Sequence, residues 1–596
     1  MKPTKKPTQK PIPEKQPAKN SFVTFYLAII FSFFPLFLTD QYGSARLDKY
    51  FFFLFASGVF LISTGLCMYL SYSNEKSAGN TAALITPLSL TDVFMLCFLG
   101  FALFSTLITE HPGEAILGPN PLFVGTFHCR NNGLVLLLVY TLVYFIITRN
   151  YTEKGNAFTV YLVLLIAAIV ILFVLLLFNC TFEMLVMYVV LMALFTLMYV
   201  IFTHYNIQRE FIFVIFLITA SAIALLTVLN FFYIDPLRML EGYDEATIAD
   251  FGSTLGNKNI IAAFMCVFLP VAVMLFVVTK ITVVRIVAGI SIVFAYTGLL
   301  CADSTSDILG LIVILPVMAI FCARSFTYLR RYLLALTILF ASGKALWIFA
   351  LIIGDHNKGF EFMQEFLIYD RLMFLPIAVC CLLYLLMMIF EKKIEAHYPA
   401  KALTIVFASL FSIGIITALF LFIRFSFFDR ETDIGNFEKL LRFDDYWGTH
   451  RGFMWRVSFE EFAKFKPLQF LFGTGPDTAY YVLQPHFGEL SSRFGDTSTD
   501  CAHNEFINYL LTQGVLGLAA YLGVMICAIV RAIKTAKANP MVLVFISPVI
   551  CYLAQSTVNL YNPIVTPYLF IFLALTEALN RKEQFRAKHE ERESMS

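Results

Sequence analysis

The chain has 596 residues, of which 59% are hydrophobic and 14% charged, with a formal net charge of +2 and a mean hydropathy of +0.76. Soluble domains carry charge on about a quarter of their residues, so a water-soluble globular fold is excluded. The near-zero net charge likewise gives no electrostatic basis for a nucleic-acid partner.

The first 20 residues, MKPTKKPTQKPIPEKQPAKN, are rich in Lys and Pro and predict a disordered tail. Its lysines place the tail in the cytoplasm by the positive-inside rule. No small-residue cleavage site follows the first apolar run, so the tail reads as uncleaved. Apolar runs of about 18 to 22 residues then recur along the chain. They fall near 22–39, 51–72, 91–109, 133–148, 157–178, 183–203, 211–233 and 259–279, then near 286–302, 307–323, 332–353, 371–390, 402–424, 508–530, 541–559 and 563–580. The expected fold is an all-α polytopic membrane protein of about 14–16 transmembrane helices, with one large extracytoplasmic loop before the last three spans.

Short loops set the expected orientation. RNYTEK, ARSFTYLRR, EKKIEAHYPAK and RAIKTAK carry Lys and Arg, whereas NCTFEM, ADSTSD and NLYNP are nearly free of them. An even number of spans with both termini cytoplasmic satisfies this bias. The resulting order is a tail (1–20), a transmembrane bundle (21–424), an extracytoplasmic loop (425–507), the last helices (508–580) and a second tail (581–596). Most cysteines sit in apolar runs and read as small buried residues. Cys129 and Cys501 both fall in expected outer loops, and a bridge between them is left open. Outer loops at 110–132, 234–258 and 354–370 also stand out by length.

Polar chemistry concentrates in the loop 425–507. Its stretch HRGFMWRVSFEEFAKFKPLQFLFG alternates aromatic and charged residues at near-helical spacing, which predicts a helix at the membrane surface. GTGPD (473–477) reads as a tight turn, in which Gly475 permits close backbone approach. His503 stands at the lip of the next span, and an imidazole titrates near neutrality and can take a proton from a hydroxyl. Asn504 or Glu505 is placed to orient it or to cap the helix. Gly514, Gly517 and Ala520 form a small-residue stripe suited to close helix packing. P-loop, GxGxxG, zinc-site and Ser-His-Asp signatures are absent.

The ordered set Arg451, Trp455, PLQFLFGTGPD and HNEFINYLLTQGVLGLAAYL resembles the signature region of the O-antigen ligase/polymerase family. TLGNKNIIAAFMCVFLP (254–270) is similar to that family's Gly-Asn-x-Asn segment, and YLAQSTVNLYNPIVTPYLFIFLAL (552–575) to its terminal hairpin. FVGTFHCRNNGLVLLLVY (123–140) is similar to its Arg-x-x-Gly-Leu opening. One departure is STSDILG, where Asp307 stands at the head of a span at which members often carry Arg.

The resemblance implies a GT-C-like, cell-membrane glycosyltransferase whose site faces the extracytoplasmic side. Such an enzyme moves a glycan from an undecaprenyl-diphosphate carrier to a hydroxyl of a glycan, lipid or protein acceptor, with no cofactor and no metal. Carried over by motif, His503 is the general base and Arg451 binds the diphosphate. Arg130 and Lys258 are candidates for a second cation, with Arg238 a third possibility. Asn504, Trp455, Arg456 and Gly475 support the site. Asp444 and Asp445 stand as an alternative seat for a divalent ion. A multi-span transporter or flippase of anions or lipid-linked sugars is the competing reading, and the scarcity of mid-span charges argues against it.

Overall fold

The computed structural model describes residues 19–39, 42, 45–77, 87–118, 131–151, 157–177, 182–207, 210–354, 357–496 and 498–595. Its long helices are α1 (Lys19–Ser32), α2 (Ala45–Ser77), α3 (Leu90–Ile108), α4 (Leu134–Asn150), α5 (Ala157–Leu177), α6 (Phe182–His204) and α7 (Phe211–Phe231). They continue as α8 (Lys258–Val278), α9 (Thr282–Ala302), α10 (Thr305–Cys322), α11 (Phe326–Ile353), α12 (Phe374–Ile389) and α13 (Ala400–Ile423). After the long loop come α17 (Glu505–Thr535), α18 (Met541–Gln555) and α19 (Thr566–Met595); the loop itself holds α14 (Trp447–Ala463), α15 (Pro467–Phe472) and α16 (Phe487–Phe494).

Each apolar run found in the sequence lies on one of these helices. Among the described residues, twelve are long and apolar enough to cross a membrane, and three shorter apolar helices (Phe22–Ser32, Leu134–Asn150 and Met541–Gln555) accompany them. The protein is an all-α polytopic membrane protein. In hydrocarbon each backbone N–H and C=O must be bonded within its own segment, and helices of this length meet that demand.

Hydrophobic patterning sorts the helices by depth. The apolar window of α8 is 94% buried, because its KNIIAAFMCVFLPVAVMLFVV is apolar all round and suits a bundle centre. It packs against α9, α10, α11 and α18. In α13, equally apolar, none of the window is buried inside the protein, so its Ile and Leu side chains face outward, where lipid would solvate them.

One span is discontinuous. Gly514 adopts φ 68°, ψ −173° and breaks α17 after a first segment of nine residues, Glu505–Gln513. The break is filled from the loop: Thr474 N–H donates to Leu511 O at 3.1 Å and Gly475 N–H to Thr512 O at 2.9 Å. A Cβ on Gly473 would lie 2.2 Å from the Thr512 carbonyl carbon, and one on Gly514 would lie 2.4 Å from that of Leu471. Gly517 and Ala520 remain buried on α17, whereas Gly514 serves as the break rather than as part of a continuous packing stripe.

Candidate functional site

His503 immediately precedes the cap of α17. The Asn504 side chain accepts from the N–H groups of Phe506 and Ile507 at 3.0 and 3.1 Å, which satisfies two orphan amides of the helix start. Further bonds fix the approach: Ala502 N–H donates to Asn508 Oδ1, and Glu505 N–H donates to Ser556 O at 3.0 Å. His503 itself sits at φ 47°, a left-handed backbone that a non-glycine residue adopts only when its surroundings impose it. Asn131, Ser253, Asp303, Thr449, His450 and Asp477 share that conformation.

Arg451 begins the regular part of α14, directly after three left-handed residues, Gly448, Thr449 and His450. Its side chain is nearly buried, at 8% exposure. Nη1 donates to Gly448 O at 2.9 Å, and the buried Nε has no hydrogen-bond partner. Burial pulls the guanidinium below its ordinary pKa, while Glu361 and Cys501 lie close enough to act in the opposite direction. One turn along α14, Met454 Sδ receives a hydrogen bond from Thr499 Oγ1, which is also bonded to Cys501 O at 3.0 Å. The His503 N–H in turn donates to Cys501 Sγ at 3.4 Å. Arg451 and His503 are therefore brought to the same end of the bundle through the segment Thr499–Cys501.

The other motifs meet there too. Asn132 N–H donates to Asp477 Oδ2 at 2.9 Å, and its side-chain amide donates to Tyr561 O. Asn508 of α17 donates to the Tyr561 hydroxyl. Ser304 Oγ donates to Asn259 Oδ1 at 2.9 Å, and the Asn559 side-chain amide donates to Asn259 O and Ser306 Oγ. Buried and half-buried polar bonds, some between positions 300 or more apart, thus hold the loop ends of α4, α8, α10, α17 and α18 in one register.

Lys258 opens α8 after Asn257, whose side chain caps the helix. Its amine pairs with Asp250 at 3.1 Å. It lines a cavity of about 90 Å³ together with Lys358, Asp250, Asp303 and Cys301. Burial lowers the Lys358 amine to about 8 and raises the Asp303 carboxyl to about 6. Lys358 Nζ donates to Phe251 O at 2.6 Å. Asp303 Oδ1 accepts Glu361 N–H at 2.8 Å, which links this cavity to the neighbourhood of Arg451. Arg130 and Cys129 lie outside the described residues. Arg238 is exposed and paired with Glu183.

The remaining candidates are committed to packing and ion pairs. Arg456 bonds Asp445, Glu460 and Glu489, and Arg493 bonds Asp445 as well. Burial pushes the Asp445 carboxyl up, but these guanidinium bonds outweigh it and hold the group below the usual carboxylate range. Asp445 is thereby enclosed by two arginines, and Asp444 Oδ1 accepts Tyr446 N–H, an arrangement poor for a divalent ion. Trp455 packs among Trp447 and Phe443. Gly475 lets the turn approach Thr109, whose hydroxyl donates to Thr474 O. Asp307, in the first turn of α10, is fully buried with both carboxyl oxygens unpartnered.

Sequence reasoning did not single out Lys358, Glu361, Asn259, Asn559 or Asp477. Lys358 and Glu361 lie in the loop 354–370, but nothing local to GDHNKGFEF marks them.

Fold and site define a polytopic helical membrane protein with an imidazole, a buried guanidinium and two lysines at one end of its bundle. Residues 366–522 match the family model described as O-antigen ligase, and this match supports assignment of the chain to the O-antigen ligase/polymerase family and a function of that general kind. The matched segment contains Arg451, the GTGPD turn and His503. A comparison with curated proteins gave no match.

Proposed function

We propose that the protein is a metal-independent, inverting glycosyltransferase. It transfers a glycan from a polyprenyl diphosphate, undecaprenyl diphosphate in bacteria, to an acceptor hydroxyl at the extracytoplasmic face of the cell membrane, as a polysaccharide ligase or polymerase. The observation that supports this reading most is Arg451: a buried guanidinium with an unpartnered Nε, tethered through Thr499–Cys501 to His503. A buried guanidinium with a free Nε donor stabilises an arriving anion more strongly than a solvated one does, and its planar fork suits two phosphate oxygens.

The division of labour follows from the donor. Diphosphate is a good leaving group, so the site supplies cationic stabilisation of developing charge and removes one proton from the attacking hydroxyl. His503 accepts that proton, Arg451 faces the diphosphate, and Lys258 or Arg130 provides the second cation. A single displacement at the anomeric carbon inverts it.

Incubating the purified protein with a defined undecaprenyl-diphosphate glycan and candidate acceptors, with and without EDTA, tests the reading. Transfer that persists in EDTA and is abolished in His503→Ala, with expression and membrane insertion intact, is the expected result. Full activity of His503→Ala removes the imidazole from the mechanism, and absence of transfer combined with sugar or anion flux in vesicles favours a transporter.

A further inference from the structure

Beyond the bonds already described, the segment before α17 brings together three side chains of different metal-ligand type. One ligand atom each from Asp500, Cys501 and His503 lies within 4.8 Å of the others. Cys501 is fully buried, and Asp500 and His503 are half-buried. In a tetrahedral zinc site, metal–ligand bonds of about 2.0–2.3 Å put ligand atoms roughly 3.3–3.8 Å apart. Closing this trio on an ion therefore requires side-chain shifts of about an ångström, which rotamer adjustment supplies.

The surroundings favour such an ion in two independent ways. The backbone of the segment is tied down at Thr499–Cys501, Ala502–Asn508 and Asn504–Ile507, so little ordering remains to be imposed by the metal. The Cys501 sulfur accepts the His503 N–H, and Arg451 lies near enough to interact with it electrostatically, both of which stabilise a thiolate. Thiolate plus carboxylate exactly offsets a divalent charge in number, so a half-buried complex is neutral. A sulfur, nitrogen and oxygen donor set selects a borderline-soft ion of the zinc class over magnesium or calcium.

We propose that Asp500, Cys501 and His503 form a binding site for a zinc-class divalent cation, and that its occupancy blocks transfer by engaging the His503 imidazole. The blocking half rests on the general-base reading given above: an imidazole whose nitrogen lone pair is on a metal has none for the acceptor proton. Binding itself rests only on the ligand geometry. The complex forms with release of the Cys501 proton to solvent, and the fourth position holds water.

Cobalt(II) titration of the full-length protein in detergent reads the site without any activity measurement, because a cobalt–thiolate bond gives a charge-transfer absorption. One equivalent of cobalt is expected to produce that band, displaceable by zinc. Cys501→Ser is expected to lose the band, and Asp500→Asn to weaken zinc binding at least tenfold. Absence of the band in the wild-type chain, or its persistence in Cys501→Ser, overturns the site. Zinc is then titrated into the transfer assay. Inhibition of the wild type in step with occupancy, with Cys501→Ser at least tenfold less sensitive relative to its own zinc-free rate, is the expected outcome. Stimulation by zinc overturns the blocking role. If His503→Ala proves fully active, the base reading fails, while the cobalt band still decides the site.

Discussion

Replacing Asn504 by alanine tests whether His503 is positioned by the helix it precedes. The Asn504 side chain is the acceptor for two amides, at 3.0 and 3.1 Å, in a residue only 8% exposed. Loss of an N-cap costs about 0.5–2 kcal/mol, and a buried amide left without an acceptor costs about 1–3 kcal/mol. These two effects overlap, which gives about 2 kcal/mol for Asn504→Ala. The helical segment cannot absorb this easily, since it runs only from Glu505 to the break at Gly514 and helices of that length have little stability of their own. Because His503 adjoins the cap, its ring loses position along with the helix start. Misplacement by about an ångström can lower a rate about 100-fold, so a drop in kcat of roughly 10- to 100-fold is expected. Serine retains a cap acceptor, and Asn504→Ser should recover most of both losses. Thermal unfolding in detergent and lipid-linked glycan transfer measure the two effects. An Asn504→Ala protein of unchanged stability and rate would refute the reasoning. A stable Asn504→Ser protein as slow as the alanine variant would reassign Asn504 to substrate contact.

Three further outcomes follow from the geometry. Arg451→Ala should lower transfer at least 100-fold and Arg451→Lys at least tenfold, because lysine keeps the charge but loses the fork; unchanged kinetics in both would move the phosphate site elsewhere. Gly473→Ala should destabilise the loop by about 2 kcal/mol or more, since an L-residue at φ 77° is strained and its Cβ would overlap the backbone of Thr512; a wild-type melting temperature would contradict this packing. The Asp303 carboxyl, raised by burial from 3.8 to about 6, holds a proton in the folded state that the unfolded chain has already released between about pH 4 and 6. Stability therefore falls as pH rises through that window, by an amount on the order of 1–3 kcal/mol. Asp303→Asn, which does not titrate, should remove the fall, and an unchanged pH slope of the melting temperature would count against it.

The spans were legible because lipid imposes a length and a composition on any helix that crosses it. The assembly of the site was less so. Nothing in TLGNKN predicts that Asn259 bonds both Ser304 and Asn559, because those contacts depend on how helices far apart in sequence pack. The discontinuity in α17 was hidden for a related reason. TQGVLGLAAYLG has the small-residue spacing of a continuous packing face, and only the loop turn lodged between Leu511 and Gly514 shows that the first glycine is a break. His503 was singled out from sequence because its imidazole stands next to a cap residue at the start of an apolar run, and the structure does place the Asn504 cap directly after it.

Arg451 and Arg456 show where local signals end. They are five residues apart on α14, which turns them about 140° from each other around the helix axis. Periodicity therefore says that they face different surroundings, without saying which one meets the site. The structure gives Arg456 three carboxylates and leaves the Arg451 Nε buried with no acceptor. An arriving diphosphate would have to displace the acidic partners of Arg456, and Lys258 must likewise exchange Asp250 for phosphate. Arg451 faces no such competition from a bonded carboxylate, so the same anion gains more free energy there. That difference is why Arg451, rather than the more heavily paired cations around it, is assigned the diphosphate.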